Sequence, residues 1–164
     1  VVTSGDAALI SPFEEYGNGA AGLANPGTTV PLPEAAGSGR RIVYANAAQR
    51  VWIVEDDGTV VDTYLVSGRE GVPAPGVYEV FSKSETAFAG HDGITMRFMV
   101  RFARPSSGTA IGFHSIPNYA NGQAMQTEEQ LGEFHSAGCV RQSIGHAAAL
   151  FEWASVGTPV QVLA

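Results

Sequence analysis

Basic residues and long apolar runs are scarce in this 164-residue chain. Nine lysines and arginines against sixteen aspartates and glutamates leave a formal charge of −7. This balance disfavours nucleic acid and anionic lipid as partners, because both are bound through clustered basic residues. No apolar run approaches the roughly 20 residues of a membrane span, and the N-terminus lacks the basic-then-apolar pattern of a signal peptide. We therefore expect either a cytosolic protein or one from which a targeting segment has been removed.

Cysteine is equally scarce, since the chain has one cysteine and four histidines. One cysteine cannot form an internal disulfide, and this leaves the redox compartment undecided, because a secreted domain of this size can be stable without one. The histidines and the cysteine also lack the close paired spacing of a structural zinc site. We therefore expect neither a metal nor a cofactor.

The first 40 residues are rich in glycine, alanine, proline and asparagine and show no sustained helical or alternating pattern. Such a composition is typical of an arm or linker. A hydrophobic content of 45% is sufficient for one core. We therefore predict an N-terminal arm over residues 1–40 and a single domain over residues 41–164.

Short β-branched and aromatic runs dominate the chain from Arg41 onward. Two of them flank Asp56-Asp57-Gly58, which is a strong hairpin signal. Further strands are predicted over residues 77–81, 95–102, 110–114 and 158–163. Thr127 and Gln130 fit a capping box at the start of one short helix, and Ser143 can cap a second helix that runs to about residue 155. The pattern predicts a mostly β domain with two short helices.

The single cysteine, Cys139, follows a run of small residues and precedes an arginine by two positions. A lone cysteine is more often a small buried residue than a nucleophile, but these neighbours favour a reactive one. Gly138 lets the backbone approach a substrate closely and Ala137 adds no bulk, so successive N–H groups could point at one oxyanion. Arg141 would share a strand face with the cysteine and either favour the thiolate or hold a substrate carboxylate. Ser136 either polarises the site or caps a turn.

Two histidines are placed where they could assist that thiol. His114 ends an apolar strand and is followed by Ser115, and His135 lies four residues before the cysteine. At such positions a histidine is more often structural than catalytic. His91 is interpreted as a turn residue and His146 as part of the last helix, so neither is assigned to the site.

In chain order, His114-Ser115, a loop and then Ser136-Ala137-Gly138-Cys139-Val140-Arg141 resemble the motif of the L,D-transpeptidase (YkuD-like) catalytic domain of bacterial cell-wall enzymes. That motif is a histidine, a variable loop, Ser/Thr-His-Gly-Cys, an apolar residue, and Asn or Arg. The likeness extends over about residues 41–163. It includes Pro73-Ala74-Pro75-Gly76-Val77-Tyr78, where a proline-containing loop leads into a strand. The resemblance implies an L,D-transpeptidase-like β-sandwich.

Two features depart from the family pattern. Ala137 stands where the family usually has a histidine, and the interval from His114 to Cys139 is longer than is typical. The general base implied by position is His114. His135 is assigned to substrate binding and is a candidate to substitute in part for the missing histidine. The longer interval predicts an enlarged lid around residues 118–133, in which we assign Tyr119 to substrate binding.

The resemblance implies acyl transfer on peptidoglycan stem peptides. Cys139, deprotonated by His114 with its ring oriented by the Ser115 carbonyl, would attack the carbonyl of the stem's third residue and expel the terminal D-alanine. A side-chain amine of a neighbouring stem would then resolve the thioacyl enzyme as a cross-link. Backbone amides near Gly138 would hold the oxyanion, and Arg141 would hold a substrate carboxylate. The resemblance also implies an extracytoplasmic location and covalent inhibition by carbapenems.

Three alternatives remain open at the level of sequence. Water could replace the amine as acceptor, which would give an L,D-carboxypeptidase using the same thiol. The alanine at position 137 is also compatible with a cell-wall-binding module whose catalytic site has decayed. A β domain with a structural cysteine would keep Cys139 from thiol reagents until the domain unfolds.

Overall fold

The computed structural model describes residues 30–90, 92–106 and 108–164. Within these ranges the strands are β1 (Arg41–Ala45), β2 (Arg50–Val54), β3 (Val60–Leu65), β4 (Gly76–Glu79), β5 (Ser82–Ala89), β6 (Ile94–Ala103), β7 (Ile111–Ser115), β8 (Val140–Gln142) and β9 (Pro159–Leu163). A 3-10 turn covers Glu128–Gln130, and helix α1 covers Ile144–Trp153. The predicted mostly β class is confirmed.

The strands form two sheets that share one core. The five-stranded sheet has the order β3-β2-β1-β9-β4, and the four-stranded sheet has the order β5-β6-β7-β8. Tyr44 of the first sheet meets Phe113 of the second edge to face, with ring centroids 6.2 Å apart. Leu150 of α1 belongs to the same buried cluster. The two sheets and the helix therefore bury one apolar interior, as expected for the sandwich that the resemblance implies.

Local signals account for the elements that were predicted correctly. The β2–β3 hairpin is antiparallel, and its turn uses Gly58 at a φ of 88°, which glycine adopts without steric cost. Thr59 N–H donates to Asp57 Oδ1 at 2.9 Å, which fixes the turn further. Helix α1 begins where predicted, because the Ser143 hydroxyl accepts a hydrogen bond from His146 N–H at 3.3 Å.

The structure corrects the extent of two predicted elements and adds a strand that was not predicted. The first helix is a single 3-10 turn: Thr127 N–H does donate to Gln130 Oε1 at 2.9 Å, but Leu131 is extended and Gly132 has a φ of 105°. Helix α1 ends at Trp153 rather than near residue 155, because Ala154 is extended. Strand β5 was not predicted, since its sequence lacks the regular alternation of apolar and polar residues that is typical of a strand, and only one of its eight residues is buried.

The described end of the predicted arm contacts the outer face of the five-stranded sheet. Trp52 Nε1 donates to the carbonyl of Val30 at 2.9 Å, and Ala36 is buried in a small cluster with Trp52 and Val43. Residues 1–29 and His91 lie outside the described residues, so the domain boundary at residue 40 stays a prediction. Across the described part of the chain, no helix has the length and apolar character needed to cross a membrane.

Candidate active site

The pairing of β7 with β8 brings the predicted site residues together. These strands are parallel, and Phe113 pairs with Val140 while His114 pairs with Arg141. Because side chains alternate along a strand and paired residues share a face, His114 and Arg141 lie on the face opposite the core residues Phe113 and Val140. Cys139 is the bend residue directly before β8, and Arg101 and Arg141 act electrostatically on both Cys139 and His114. The cysteine, the histidine and the arginine thus lie in one region of the structure.

His114 is almost fully buried, at 3% exposure, and has a defined tautomer. Its Nδ1 lies 2.6 Å from the Ser115 carbonyl oxygen. Since a carbonyl can only accept, Nδ1 carries the proton and Nε2 keeps its lone pair. Burial lowers the pKa of His114 to about 4; the Ser115 hydrogen bond opposes this shift, and the nearby Arg141 and Arg101 add to it. The imidazole is therefore neutral at pH 7.

Cys139 is partly buried, and its thiol donates to the Ala110 carbonyl at 3.7 Å. Burial raises the pKa of the thiol above its ordinary value, while the Gly112 backbone, Arg101 and Arg141 act in the opposite direction. The resting group is consequently a thiol rather than a thiolate.

The turn before the cysteine is held by its backbone and by Ser136. The Ser136 hydroxyl accepts from Gly138 N–H at 3.0 Å, which is the turn-capping arrangement. Ser136 N–H donates to the Gly68 carbonyl at 3.1 Å. Ala137 is exposed, and its carbonyl accepts from Arg69 Nη1 at 3.3 Å. The segment that follows β3 and contains Gly68 and Arg69 therefore packs against this turn, and we call this segment the wall.

Arg141 lies in a buried hydrogen-bond chain that sequence reasoning did not identify. Its Nη1 donates to Gln126 Oε1 at 3.0 Å, and Gln126 Nε2 donates to Ser67 Oγ at 3.1 Å. The Ser67 hydroxyl in turn donates to the Gln130 carbonyl at 3.3 Å. The Nε atom of Arg141 is buried and has no hydrogen-bond partner. Nothing in the sequence marks Gln126 or Ser67, because their roles depend on how the lid folds back.

The remaining two predicted residues lie in different surroundings. Tyr119 is half-exposed on the lid and interacts electrostatically with Arg141, raising the pKa of the guanidinium against the effect of burial. His135 is on the surface, where its Nε2 lies 2.9 Å from Glu133 Oε2. The structure therefore places Tyr119 with Arg141 and pairs His135 with a surface carboxylate.

A second polar cluster lies on the core side of β8. His146, which sequence reasoning set aside, has Nδ1 2.8 Å from Ser143 Oγ and Nε2 3.6 Å from Asp62 Oδ2. Tyr64 stacks on its ring with a centroid distance of 4.0 Å and donates to Gln142 Oε1 at 2.5 Å. Among the residues that the structure describes, no group of three or more His, Cys, Asp or Glu side chains could hold a metal ion.

Comparison with protein families gives a match to the L,D-transpeptidase catalytic domain over residues 39–162. None of the curated proteins compared matches the chain. Three solved structures illustrate the likeness of fold. An L,D-transpeptidase from Mycobacterium smegmatis has a TM-score of 0.60 and 21% identity, with 78% of this chain and 60% of that chain covered.

An LD transpeptidase in complex with imipenem has a TM-score of 0.59 and 22% identity, covering 77% of this chain and 60% of that chain. L,D-transpeptidase 3 from Mycobacterium tuberculosis, in complex with a faropenem-derived adduct, has a TM-score of 0.56 and 18% identity, covering 78% of this chain and 61% of that chain. At these identities the likeness is one of fold. This chain also spans only about three fifths of the length of these solved chains.

Proposed function

Because the chain belongs to the L,D-transpeptidase catalytic domain family, we propose that it is a cysteine-dependent acyltransferase that cross-links peptidoglycan stem peptides through a thioacyl enzyme. The observation that supports this most directly is the parallel pairing of β7 with β8. It pairs His114 with Arg141, which stands two residues after the chain's single cysteine. Nucleophile and base in reach of each other, with the base oriented by a third group, are the requirements of covalent catalysis.

The resting protonation states define the first step. Because the thiol and the imidazole are both neutral, the proton passes from Cys139 Sγ to His114 Nε2 as the sulfur attacks the substrate carbonyl. The new bond joins sulfur to carbon, and the C–N bond to the departing D-alanine breaks as His114 returns the proton to its amine. The Ser115 carbonyl keeps Nδ1–H in place through both transfers. The acceptor amine then attacks the thioester carbonyl as the same histidine takes its proton, the C–S bond breaks, and the proton returns from His114 to Cys139 Sγ to restore the resting thiol.

Backbone donors at the nucleophile turn are assigned to the oxyanion. The Cys139 N–H is the first donor, since the Gly138 N–H is already bonded to the Ser136 hydroxyl. A donor of this kind is worth about 3 kcal/mol of transition-state stabilisation. We assign Arg141 to a substrate carboxylate and Tyr119, its neighbour on the lid, to the wall of the same subsite. An extracytoplasmic location follows from this substrate and is part of the proposal.

The test is acylation by imipenem, which is bound in one of the solved relatives. We expect intact-protein mass spectrometry to show a single adduct, mapped to Cys139 by peptide digestion and missing from Cys139→Ala. His114→Gln should keep the fold and slow acylation by about a hundredfold or more, since general-base catalysis contributes this much. His135→Gln tests the other candidate histidine by a substitution of the same kind. Because His135 Nε2 lies 2.9 Å from Glu133 Oε2 on the surface, we expect this variant to react like the unmodified protein.

An adduct that persists in Cys139→Ala, or an unchanged rate in His114→Gln, would contradict the mechanism. Analysis of the products formed from muropeptides then distinguishes transpeptidation from carboxypeptidation, the two reactions that pass through the same thioester. Cross-linked dimers support transfer to an amine, whereas shortened stems alone indicate transfer to water. Stem-peptide binding with neither product would identify a binding module.

A further inference from the structure

We propose that Gln126 is a positioning residue that fixes the Arg141 guanidinium and so sets the electrostatic environment of the Cys139 thiol. The inference deepens the proposed function and rests on it in taking Cys139 as the reactive group. Gln126 lies on the lid, just before the 3-10 turn, and is buried. It contacts neither the cysteine nor the histidine among its hydrogen-bond partners, so it acts through the arginine.

The orientation of the Gln126 amide follows from its two partners. Arginine can only donate, so the atom 3.0 Å from Arg141 Nη1 is the amide oxygen. The amide nitrogen must then donate to Ser67 Oγ, at 3.1 Å, and the Ser67 hydroxyl is left to donate to the Gln130 carbonyl. The hydrogen bonds therefore run in one direction, with each group donating to the next: Arg141 to Gln126, Gln126 to Ser67, and Ser67 to the lid carbonyl of Gln130. If the lid opened, the guanidinium would lose this support.

The choice of glutamine over glutamate matters for the charge at the thiol. The groups that act on Cys139 are the Gly112 backbone of β7, Arg101 of β6 and Arg141 of β8. Tyr119 of the lid acts on Arg141, and both arginines act on His114. Of these, the arginines supply the positive potential that favours the thiolate. A neutral amide holds the Arg141 guanidinium in place and leaves its charge effective, whereas a carboxylate would hold it equally well and cancel that charge.

Alkylation of the thiol tests the proposal without any acyl transfer. Because the chain has one cysteine, each reagent reports on Cys139 alone. The rate ratio of anionic iodoacetate to neutral iodoacetamide measures the local charge, and the pH profile with iodoacetamide measures the thiol pKa. We expect Gln126→Glu to lower the ratio about tenfold at low ionic strength and to move the profile about one pH unit upward. Gln123→Glu adds the same charge on the exposed part of the lid and should leave both within about twofold.

A second pair of variants separates positioning from general support of the fold. Gln126→Met removes both hydrogen bonds at similar size and should lower the iodoacetate-to-iodoacetamide ratio severalfold. In an Arg141→Met background the same Gln126→Met change should leave the ratio unaltered. A ratio unchanged in Gln126→Glu, or an equal loss in both backgrounds, would overturn the proposal. If the ratio shifts as expected while imipenem forms no adduct, the positioning role stands and the proposed function falls.

Discussion

Replacement of Gly138 by alanine distinguishes two reasons for a glycine beside the nucleophile. A Cβ at this position would have Ile111 Cγ1 as its nearest neighbour, at 4.0 Å, and the backbone of Gly138 lies outside the left-handed region. Alanine at a compatible position changes the free energy of unfolding by about 0.4–1 kcal/mol, in the stabilising direction. We therefore expect Gly138→Ala to unfold at the same or a slightly higher urea concentration.

The same methyl group should nevertheless impair the reaction. It would stand on the turn that approaches the scissile carbonyl, and a displacement of the reacting atoms by about 1 Å costs roughly a hundredfold in rate. We expect imipenem acylation of Cys139 to fall by between ten- and a hundredfold, measured by mass spectrometry over time. The rate and the stability would thus move independently.

Gly68→Ala is the matched control, because this glycine lies in the wall behind the same turn. Its Cβ would fall 2.2 Å from the Tyr44 hydroxyl. That hydroxyl accepts from Asn46 Nδ2 and Gln49 Nε2, each at 2.9 Å, so it cannot yield without breaking buried hydrogen bonds. Overpacking costs about 1–3 kcal/mol and each lost bond about 1 kcal/mol, which gives an expected loss of roughly 2–5 kcal/mol.

The prediction is contradicted if Gly138→Ala and Gly68→Ala change the acylation rate and the free energy of unfolding in the same way. A destabilised Gly138→Ala would mean that the space beside the turn is not open. An acylation rate and a stability both equal to those of the unmodified protein would mean that close backbone approach is not why glycine stands at this position. A fully stable Gly68→Ala would contradict the packing of the wall itself.

Two further predictions concern the buried polar cluster beside α1. Tyr64→Phe removes the hydroxyl that donates to Gln142 Oε1. We expect urea titration to show a decrease of about 1–3 kcal/mol in the free energy of unfolding, with imipenem acylation unchanged. An unchanged free energy of unfolding would contradict a stabilising role for this hydrogen bond. Burial raises the pKa of Asp62 from 3.8 to about 6, so protonation of Asp62 increases the free energy of unfolding as the pH falls from 6 toward 4. Burial lowers the pKa of His146 from 6.5 to about 4, so His146 decreases the free energy of unfolding over the same pH range. Asp62→Asn removes the compensating gain and should steepen the loss of stability between pH 6 and 4, and a flatter profile would refute this account.

The elements that the sequence predicted are those whose signals are local. The Asp56-Asp57-Gly58 turn and the Ser143 cap each act within four residues, so the hairpin and helix α1 could be placed from the chain alone. The capping box at Thr127 was equally clear, yet it starts only one 3-10 turn, because tertiary contacts extend the backbone at Leu131. Strand β5 has no local signal, and its partner β6 supplies the hydrogen bonds that make it a strand.

The candidate site could be predicted in its chain order but not in its supporting contacts. The order of His114, Cys139 and Arg141 in the chain was sufficient to recognise the resemblance to the L,D-transpeptidase motif. Their proximity in space, however, depends on the parallel pairing of β7 with β8, which the whole lid separates in the sequence. Such non-local pairing leaves no mark on nearby residues. The roles of Gln126 and Ser67 could not be predicted, because they depend on the tertiary contact between the lid and Arg141. The effect of burial on the thiol could not be predicted from the sequence either, since it raises the pKa of Cys139 above its ordinary value.

The alanine at position 137 can now be related to the proposed proton path. Ala137 is exposed, and its carbonyl, rather than any side chain, ties the turn to Arg69. The path from the thiol needs one acceptor, His114 Nε2, and that atom is defined by the bond from Nδ1–H to the Ser115 carbonyl. A side chain at position 137 would stand on the solvent side of the turn and would not enter this path. The departure from the family pattern therefore lies outside the proposed proton path and leaves the proposed acid–base chemistry intact.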